Sequence, residues 1–65
     1  MLDKKGFVGY VIELNGKYVF SIKTHGQVEM TDNIFSAKNF KSYTKVKRVA
    51  ISVSPYASIE KLYYI

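Results

Sequence analysis

Residues 7–23 are FVGYVIELNGKYVFSIK, in which the dipeptide Asn15-Gly16 separates two runs rich in β-branched and aromatic residues. Asn-Gly is typical of a two-residue type I′ turn, because both central residues need a positive φ that glycine adopts freely. The stretch therefore predicts a β-hairpin. The short loop also fixes the strand register. The predicted cross-strand pairs are Leu14 with Lys17, Glu13 with Tyr18, Ile12 with Val19, Val11 with Phe20, Tyr10 with Ser21 and Gly9 with Ile22.

This register divides the hairpin into two faces. One face carries Phe7, Val11, Tyr18, Phe20 and Ile22, and its one charge, Glu13, lies by the turn. The other carries Val8, Tyr10, Ile12, Leu14 and Val19 together with Lys17, Ser21 and Lys23. Because the lysines lie on the second face, we expect the first face to form the core, with Phe20 and Ile22 buried. The second face is then the outer surface of the hairpin.

Downstream of the hairpin, turn residues and short apolar runs alternate. His25-Gly26 predicts a turn, and Gln27–Met30 predicts a short third strand. The cluster 31–33 is rich in capping residues, so either a single helical turn carrying Ile34, Ala37 and Phe40 or a loop follows it. The last run, Ile59–Ile65, is aromatic and alternating, which indicates a final strand.

Between these elements, Ser42 is a second capping candidate, and apolar residues follow it at spacings of three and four. They are Tyr43, Val46, Val49, Ala50 and Val53. A strand over residues 44–53 is the alternative, because the segment is rich in β-branched residues. The helix is preferred, since Tyr43, Val46 and Val49 fit only the longer period. Ser54-Pro55 ends the element in either case.

Together these elements predict an α+β fold. The order is ββ(β)αβ, with an antiparallel sheet of three to four strands and one helix packed on one face. If residues 44–53 form a strand, the alternative is a small five-stranded barrel of the SH3-like or OB-like kind. Both alternatives contain the hairpin.

The order of several short motifs carries a resemblance that covers most of the chain. Tyr18-Val19 follows the Asn-Gly turn, and then come Thr31-Asp32, Ala37-Lys38 and Phe40-Lys41-Ser42 before a basic helix. This order resembles small uncharacterised proteins encoded by phages and prophages of Gram-positive bacteria. The resemblance implies that the Ala and the Phe anchor a turn and that the helix covers the sheet. Residues 51–58 depart from it, because β-branched residues and Pro55 replace a longer charged helix.

The composition excludes several classes of function. With 65 residues, 48% hydrophobic and 23% charged, the chain is expected to form one small globular domain spanning residues 1–65. It has no cysteine and one histidine, so we expect no disulfide, no metal and no cofactor. No apolar run has the length of a signal peptide or a membrane span. We therefore expect a protein of the host-cell cytoplasm that does not enter the membrane.

Catalytic motifs are weakly represented. Ser42 and Lys45 match the Ser-x-x-Lys spacing of serine acyl enzymes, but a helix cap followed by a solvated lysine explains the same residues. His25 has no carboxylate at a telling spacing. The sequence therefore predicts no catalytic residue and a protein that is not an enzyme.

The charge distribution is more informative. The formal net charge is +5, and residues 33–59 contain five basic residues and no acid, whereas the remaining residues contain five of each. On a helix, Lys41, Lys45 and Arg48 stack at i, i+4 and i+7 and form a positive stripe, and Lys47 is a further candidate binding residue of the same acid-free segment. Phosphates or an acidic protein would fit this stripe. A single Arg, with no outward Asn or Gln on the helix, argues against readout of base sequence.

The predicted outer hairpin face is the second candidate surface, where Tyr10 lies beside Lys17 and Lys23. Interleaved aromatic and basic residues bind single-stranded nucleic acid, whereas an exposed apolar patch commonly marks a protein interface or a homodimer contact. The leading hypothesis is a small phage-encoded binding protein that regulates or inhibits a macromolecular partner. The alternative is a sequence-nonspecific nucleic-acid-binding accessory protein that uses the helix stripe with Tyr10 or a C-terminal tyrosine.

Overall fold

The computed structural model describes residues 6–23 and 26–63, and within them the α+β fold is confirmed. The elements are β1 (Phe7–Leu14), β2 (Lys17–Ile22), β3 (Val28–Thr31), a 3₁₀ turn (Ile34–Ser36), α1 (Tyr43–Val53) and β4 (Ser58–Tyr63). The strands form one antiparallel sheet of order β3-β2-β1-β4, with α1 packed on β1 and β4. The open sheet replaces the barrel alternative. His25 of the predicted turn and the last two residues of the predicted final strand lie outside the described residues.

The hairpin turn is the one predicted. Asn15 and Gly16 have φ values of 55° and 81°, as a type I′ turn requires. The flanking strands pair Leu14 with Lys17 and Glu13 with Tyr18. The Gly16 amide also donates a hydrogen bond of 2.8 Å to Oε2 of Glu13, which ties the strand end to the turn.

Beyond Glu13 and Tyr18 the two strands separate, and residues 37–40 lie between them. Tyr10 and Phe40 exchange both backbone hydrogen bonds, at 2.7 and 2.8 Å, and the Lys38 amide donates to the Val19 carbonyl at 2.9 Å. The predicted pairs from Ile12 with Val19 onward to Gly9 with Ile22 are therefore wrong. The predicted register fails because Phe40 and Ser21 compete for the same partner. The backbone N–H and C=O of Tyr10, which that register pairs with Ser21, form their hydrogen bonds with Phe40 instead.

The core lies mainly on the sheet face that α1 covers, called the helix face here. Its buried residues are Ile12, Val19, Phe40, Val46 and Ala50. The prediction that this side of the hairpin is the outer surface is therefore wrong. Lys17 and Lys23 flank β2 and reach solvent from its two ends, so they do not prevent burial of the residues between them. Partly buried apolar residues of β3, α1 and β4 pack against the buried residues and complete the core.

The opposite face of the sheet holds a smaller cluster of Val11, Leu62 and Ala37, with Ile34 of the 3₁₀ turn packed against it. Phe20 and Ile22 were predicted to be buried on this face, but they are 49% and 37% exposed. A bulge explains the difference, because Val19 pairs with Met30 and Ser21 with Glu29, which leaves Phe20 as an extra residue on β2. The bulge then pairs Ile22 with Val28, a residue that packs toward the helix-face core.

The helix prediction is confirmed. The Ser42 side chain accepts a hydrogen bond from the Lys45 amide, so Ser42 is the N-cap of α1. Val46 and Ala50 are buried, and Val49 and Val53 pack beside them at the predicted spacing. The Ser54 amide donates to the Ala50 carbonyl where the helix ends before Pro55. Asn33 likewise caps the 3₁₀ turn through the Phe35 amide.

Gly9 is required where residues 37–40 approach β1. A Cβ atom at this position would lie 3.0 Å from the Phe40 carbonyl oxygen and 3.3 Å from Cβ of Asn39. The first neighbour is a backbone atom held by the Tyr10–Phe40 hydrogen bonds, so it has little room to move. The absence of a side chain at Gly9 therefore permits residues 37–40 to lie against the strand.

We expect Gly9→Ala to destabilise the protein by about 1–3 kcal/mol, because the added methyl group overpacks this contact. Chemical denaturation measures the loss, and hydrogen exchange should show weaker protection of the Tyr10 and Phe40 amides. Gly16→Ala is the control, since a Cβ there has no neighbour within 4 Å. Its cost of about 1–2 kcal/mol reflects only the positive φ. Equal loss of protection at Tyr10 in both variants would contradict the assignment.

Phe40 and Phe20 provide a second test of the packing. Phe40 is 5% exposed and Phe20 is 49% exposed. Phe40→Ala should therefore cost about 3–5 kcal/mol, whereas Phe20→Ala should cost about 1 kcal/mol. Urea unfolding of both variants distinguishes this arrangement from the hairpin register predicted from sequence, which would reverse the order.

Candidate functional site

The basic residues of the helix stripe all lie on the surface. Lys41, Lys45, Lys47 and Arg48 are exposed, and α1 contains no acidic residue. Within residues 6–23 and 26–63, the ion pairs are Lys17–Asp32 and Lys23–Glu29. The four basic residues of the helix surface therefore take no part in an ion pair there. The structure therefore presents an uncompensated positive surface at the start and along the outside of α1.

Lys41 contacts β1 from the segment before α1. Its ammonium group donates a hydrogen bond to the carbonyl oxygen of Val8, across from the preceding segment to β1. This contact joins the beginning of the helix stripe to β1, and Lys41 is nevertheless exposed. Lys41 therefore links the stripe to the end of the sheet where Phe7 lies.

Lys17 and Lys23 do not join the helix stripe. Lys17 lies 3.6 Å from Asp32 and Lys23 lies 3.4 Å from Glu29, measured from Nζ to a carboxylate oxygen. Both pairs flank β2, whereas α1 packs on β1 and β4. The structure thus places Lys45, Lys47 and Arg48 on α1 with Lys41 just before its N-cap, and separates Lys17 and Lys23 from them.

Tyr10 is part of the helix face and not of an open outer surface. It is half-buried, and its ring meets Phe7 and Tyr43 edge-to-face, at centroid distances of 5.1 and 5.4 Å. Phe7 in turn meets Tyr63 at 5.6 Å. We call these four residues the aromatic row: Tyr63, Phe7, Tyr10 and Tyr43. Ile12, the neighbour of Tyr10 on the same face, is fully buried, so the prediction that this hairpin face is an open apolar surface is wrong.

Three basic residues surround the aromatic row. Lys61 is the cross-strand partner of Tyr10, and Lys47 follows Tyr43 by one turn of α1. Lys41 reaches β1 at Val8, next to Phe7. Glu60 pairs with Val11 and so points to the opposite face of the sheet. The row and its lysines therefore form one continuous aromatic and basic surface.

Sequence reasoning named Tyr10, Lys41 and Lys47 but missed Phe7, Tyr43 and Lys61. The spacing of Tyr43 and Lys47 at i and i+4 was a usable signal for one side of this surface. Lys61 and Phe7 gave no such signal, because their places depend on how β4 is aligned with β1. That register is set by packing between two strands that 43 residues separate in the sequence, and not by a local turn.

Of the residues considered for catalysis, Ser42 has a structural role and His25 lies outside the residues that the structure describes. Oγ of Ser42 accepts the Lys45 amide at 3.3 Å, as a helix cap does. His25 is outside the described residues. Within the described ranges, no group of His, Asp or Glu residues could hold a metal ion, no pocket is present, and no helix is long and apolar enough to cross a membrane.

Comparison of the chain with protein-family models, curated proteins and solved structures finds no match. The candidate site consists of the helix stripe and the aromatic row.

The aromatic row yields a stability prediction. We expect Tyr10→Ala to cost about 3 kcal/mol, because it removes a half-buried ring and two edge-to-face contacts. Tyr10→Phe should change stability by less than about 0.5 kcal/mol, since the ring contacts remain. Thermal unfolding of the two variants checks this. A large loss in Tyr10→Phe would instead assign the stabilisation to the hydroxyl group.

Proposed function

We propose that this chain is a small non-enzymatic binding protein that holds nucleic acid by its phosphates through the helix stripe. The observation that carries the proposal is that Lys41, Lys45, Lys47 and Arg48 are all exposed, and that none of them takes part in an ion pair among the described residues. Residues 33–59 contribute the whole formal net charge of +5. An extended polyanion would release counterions on binding there, which supplies affinity without any pocket.

The same surface supports binding without base readout. Discrimination between bases uses Arg, Asn or Gln side chains that make paired hydrogen bonds to base edges. α1 has the sequence YTKVKRVAISV, with one Arg and neither Asn nor Gln. Lysines act as point charges toward phosphates, so affinity should depend little on base sequence.

A protein partner that is regulated or inhibited is the second candidate. It is favoured by exposed aromatic side chains away from the helix stripe: Phe20 on β2 is 49% exposed, and Phe35 in the adjacent 3₁₀ turn is 73% exposed. Such apolar exposure commonly marks a protein interface. In either form the resemblance to phage and prophage proteins supports action on a partner in the cytoplasm of an infected cell.

Salt titration tests the nucleic-acid proposal. If about three to five phosphates are neutralised, the logarithm of affinity should fall with log salt by roughly 0.7–0.9 per phosphate. Lys45→Gln combined with Arg48→Gln should reduce that slope by about 1.4–1.8, because two contacts are removed. Fluorescence anisotropy with labelled single-stranded and duplex DNA of random sequence measures both.

The matched control is Lys17→Gln combined with Lys23→Gln. Both double variants remove two positive charges, so the formal net charge of each falls from +5 to +3. The control should keep the wild-type slope, because Lys17 and Lys23 lie at carboxylates away from α1. An equal effect of the two variants would indicate a response to net charge alone. Absence of binding to any DNA or RNA at low salt would exclude the nucleic-acid proposal and leave the protein partner.

A further inference from the structure

We infer that the aromatic row is a stacking site for the unpaired bases of a single-stranded nucleic acid. This inference rests on the proposed function, because the helix stripe would hold the phosphates of the same strand. It adds a preference for single strands, which a charged helix surface alone does not supply. The site consists of Phe7, Tyr43 and Tyr63, supported by Tyr10 and bordered by Lys41, Lys47 and Lys61.

The first argument is the exposure of the rings. Phe7, Tyr43 and Tyr63 are 42%, 51% and 42% exposed, although each belongs to a contacting series of aromatic side chains. Adjacent rings meet at interplanar angles of 62° to 71°, so they cannot cover each other's faces completely. Stacking with a base requires an accessible ring face of this kind.

The second argument is rigidity. Phe7 and Tyr63 are cross-strand partners on β1 and β4, and Tyr43 is the first residue of α1, directly after its N-cap. Tyr10 lies between Phe7 and Tyr43 and is half-buried against the core. Rings held on regular elements lose little conformational entropy when a ligand binds.

The third argument is charge. Lys61 stands opposite Tyr10, Lys47 lies one helical turn from Tyr43, and Lys41 is anchored at Val8. None of the three takes part in an ion pair among the described residues. A backbone crossing the row would therefore meet positive charge on more than one side, which suits a polyanion with aromatic bases.

A duplex fits this surface less well than a single strand. Base faces in a duplex are stacked on their neighbours and are not available to side chains, whereas unpaired bases can be splayed onto aromatic rings. An acidic protein would satisfy the lysines but would not need four aromatic rings in a row. The combination of rings and lysines therefore favours single-stranded nucleic acid.

The test compares Tyr43→Leu combined with Tyr63→Leu against the wild-type protein. Leucine keeps apolar bulk at both sites but removes the ring faces. Binding to oligo(dT) should weaken by about 5- to 150-fold for each ring that stacks. Binding to a random-sequence duplex should change less than twofold. Tyr56→Leu is the control, because Tyr56 is 83% exposed and takes no part in the ring contacts of the row.

A spectroscopic readout accompanies the affinities. The chain has six tyrosines and no tryptophan, so its intrinsic fluorescence comes from tyrosine. Saturation with oligo(dT) should quench part of this emission in the wild type and in Tyr56→Leu, and quench markedly less in the double variant. Circular dichroism establishes that all three proteins are folded, and Tyr43→Phe combined with Tyr63→Phe should restore the affinity.

The outcomes separate this inference from the proposed function. Equal weakening toward oligo(dT) and duplex, or no weakening, would overturn the aromatic site while leaving phosphate binding by α1 in place. A poly-glutamate peptide provides a second check. If the wild-type protein binds it as tightly as oligo(dT), and the double variant loses affinity for both equally, the aromatic site would be overturned in favour of an acidic protein partner. No wild-type binding to either form of DNA or to RNA would overturn the proposed function itself.

Discussion

The pair of backbone hydrogen bonds between Tyr10 and Phe40 determines how the rest of the domain is arranged. It holds residues 37–40 in the opening between β1 and β2, where a longer hairpin would have continued. Ala37 on one side of this segment packs with Val11, and Phe40 on the other packs with Ile12 and Val19. One short segment thereby contributes to both hydrophobic clusters and leads the chain from the 3₁₀ turn to the N-terminus of α1. The bare backbone of Gly9 is the condition that allows this approach.

Local patterns in the sequence predicted the elements well. Asn15-Gly16 specified the turn because few dipeptides accept two positive φ values, and Ser42 with Val46 and Ala50 specified α1 through capping and periodicity. The errors arose where local rules compete with distant ones. The hairpin register failed beyond Tyr18 because Phe40, distant in sequence, bonds to Tyr10. The prediction of the buried face was wrong because Lys17 and Lys23, at the two ends of β2, reach solvent without exposing Val19 between them.

The candidate site shows the same division. The basic helix surface was predictable, since helical periodicity and the absence of acids in residues 33–59 are both visible in the sequence. The aromatic row was not, because it joins the beginning of β1, the first residue of α1 and the end of β4. Only the register of β4 against β1 places Tyr63 beside Phe7 and Lys61 beside Tyr10. A domain this small can assemble such a surface because the beginning of β1, the end of β4 and the N-terminus of α1 meet on one side of the sheet.

The position of Glu60 and Lys61 in the middle of β4 has a consequence for the outer edge of the sheet. Within the described part of the chain, β4 is an edge strand with β1 on one side only. An edge of this kind can pair with the same strand of a second molecule and start aggregation. If two β4 strands paired antiparallel about a twofold axis at Glu60, each Glu60 would lie opposite the Glu60 of the other molecule. An axis at Lys61 would place the two copies of Lys61 opposite each other. Like charges directly opposite each other are unfavourable in a sheet. The two charged residues thus protect a basic and partly apolar domain from edge-to-edge assembly.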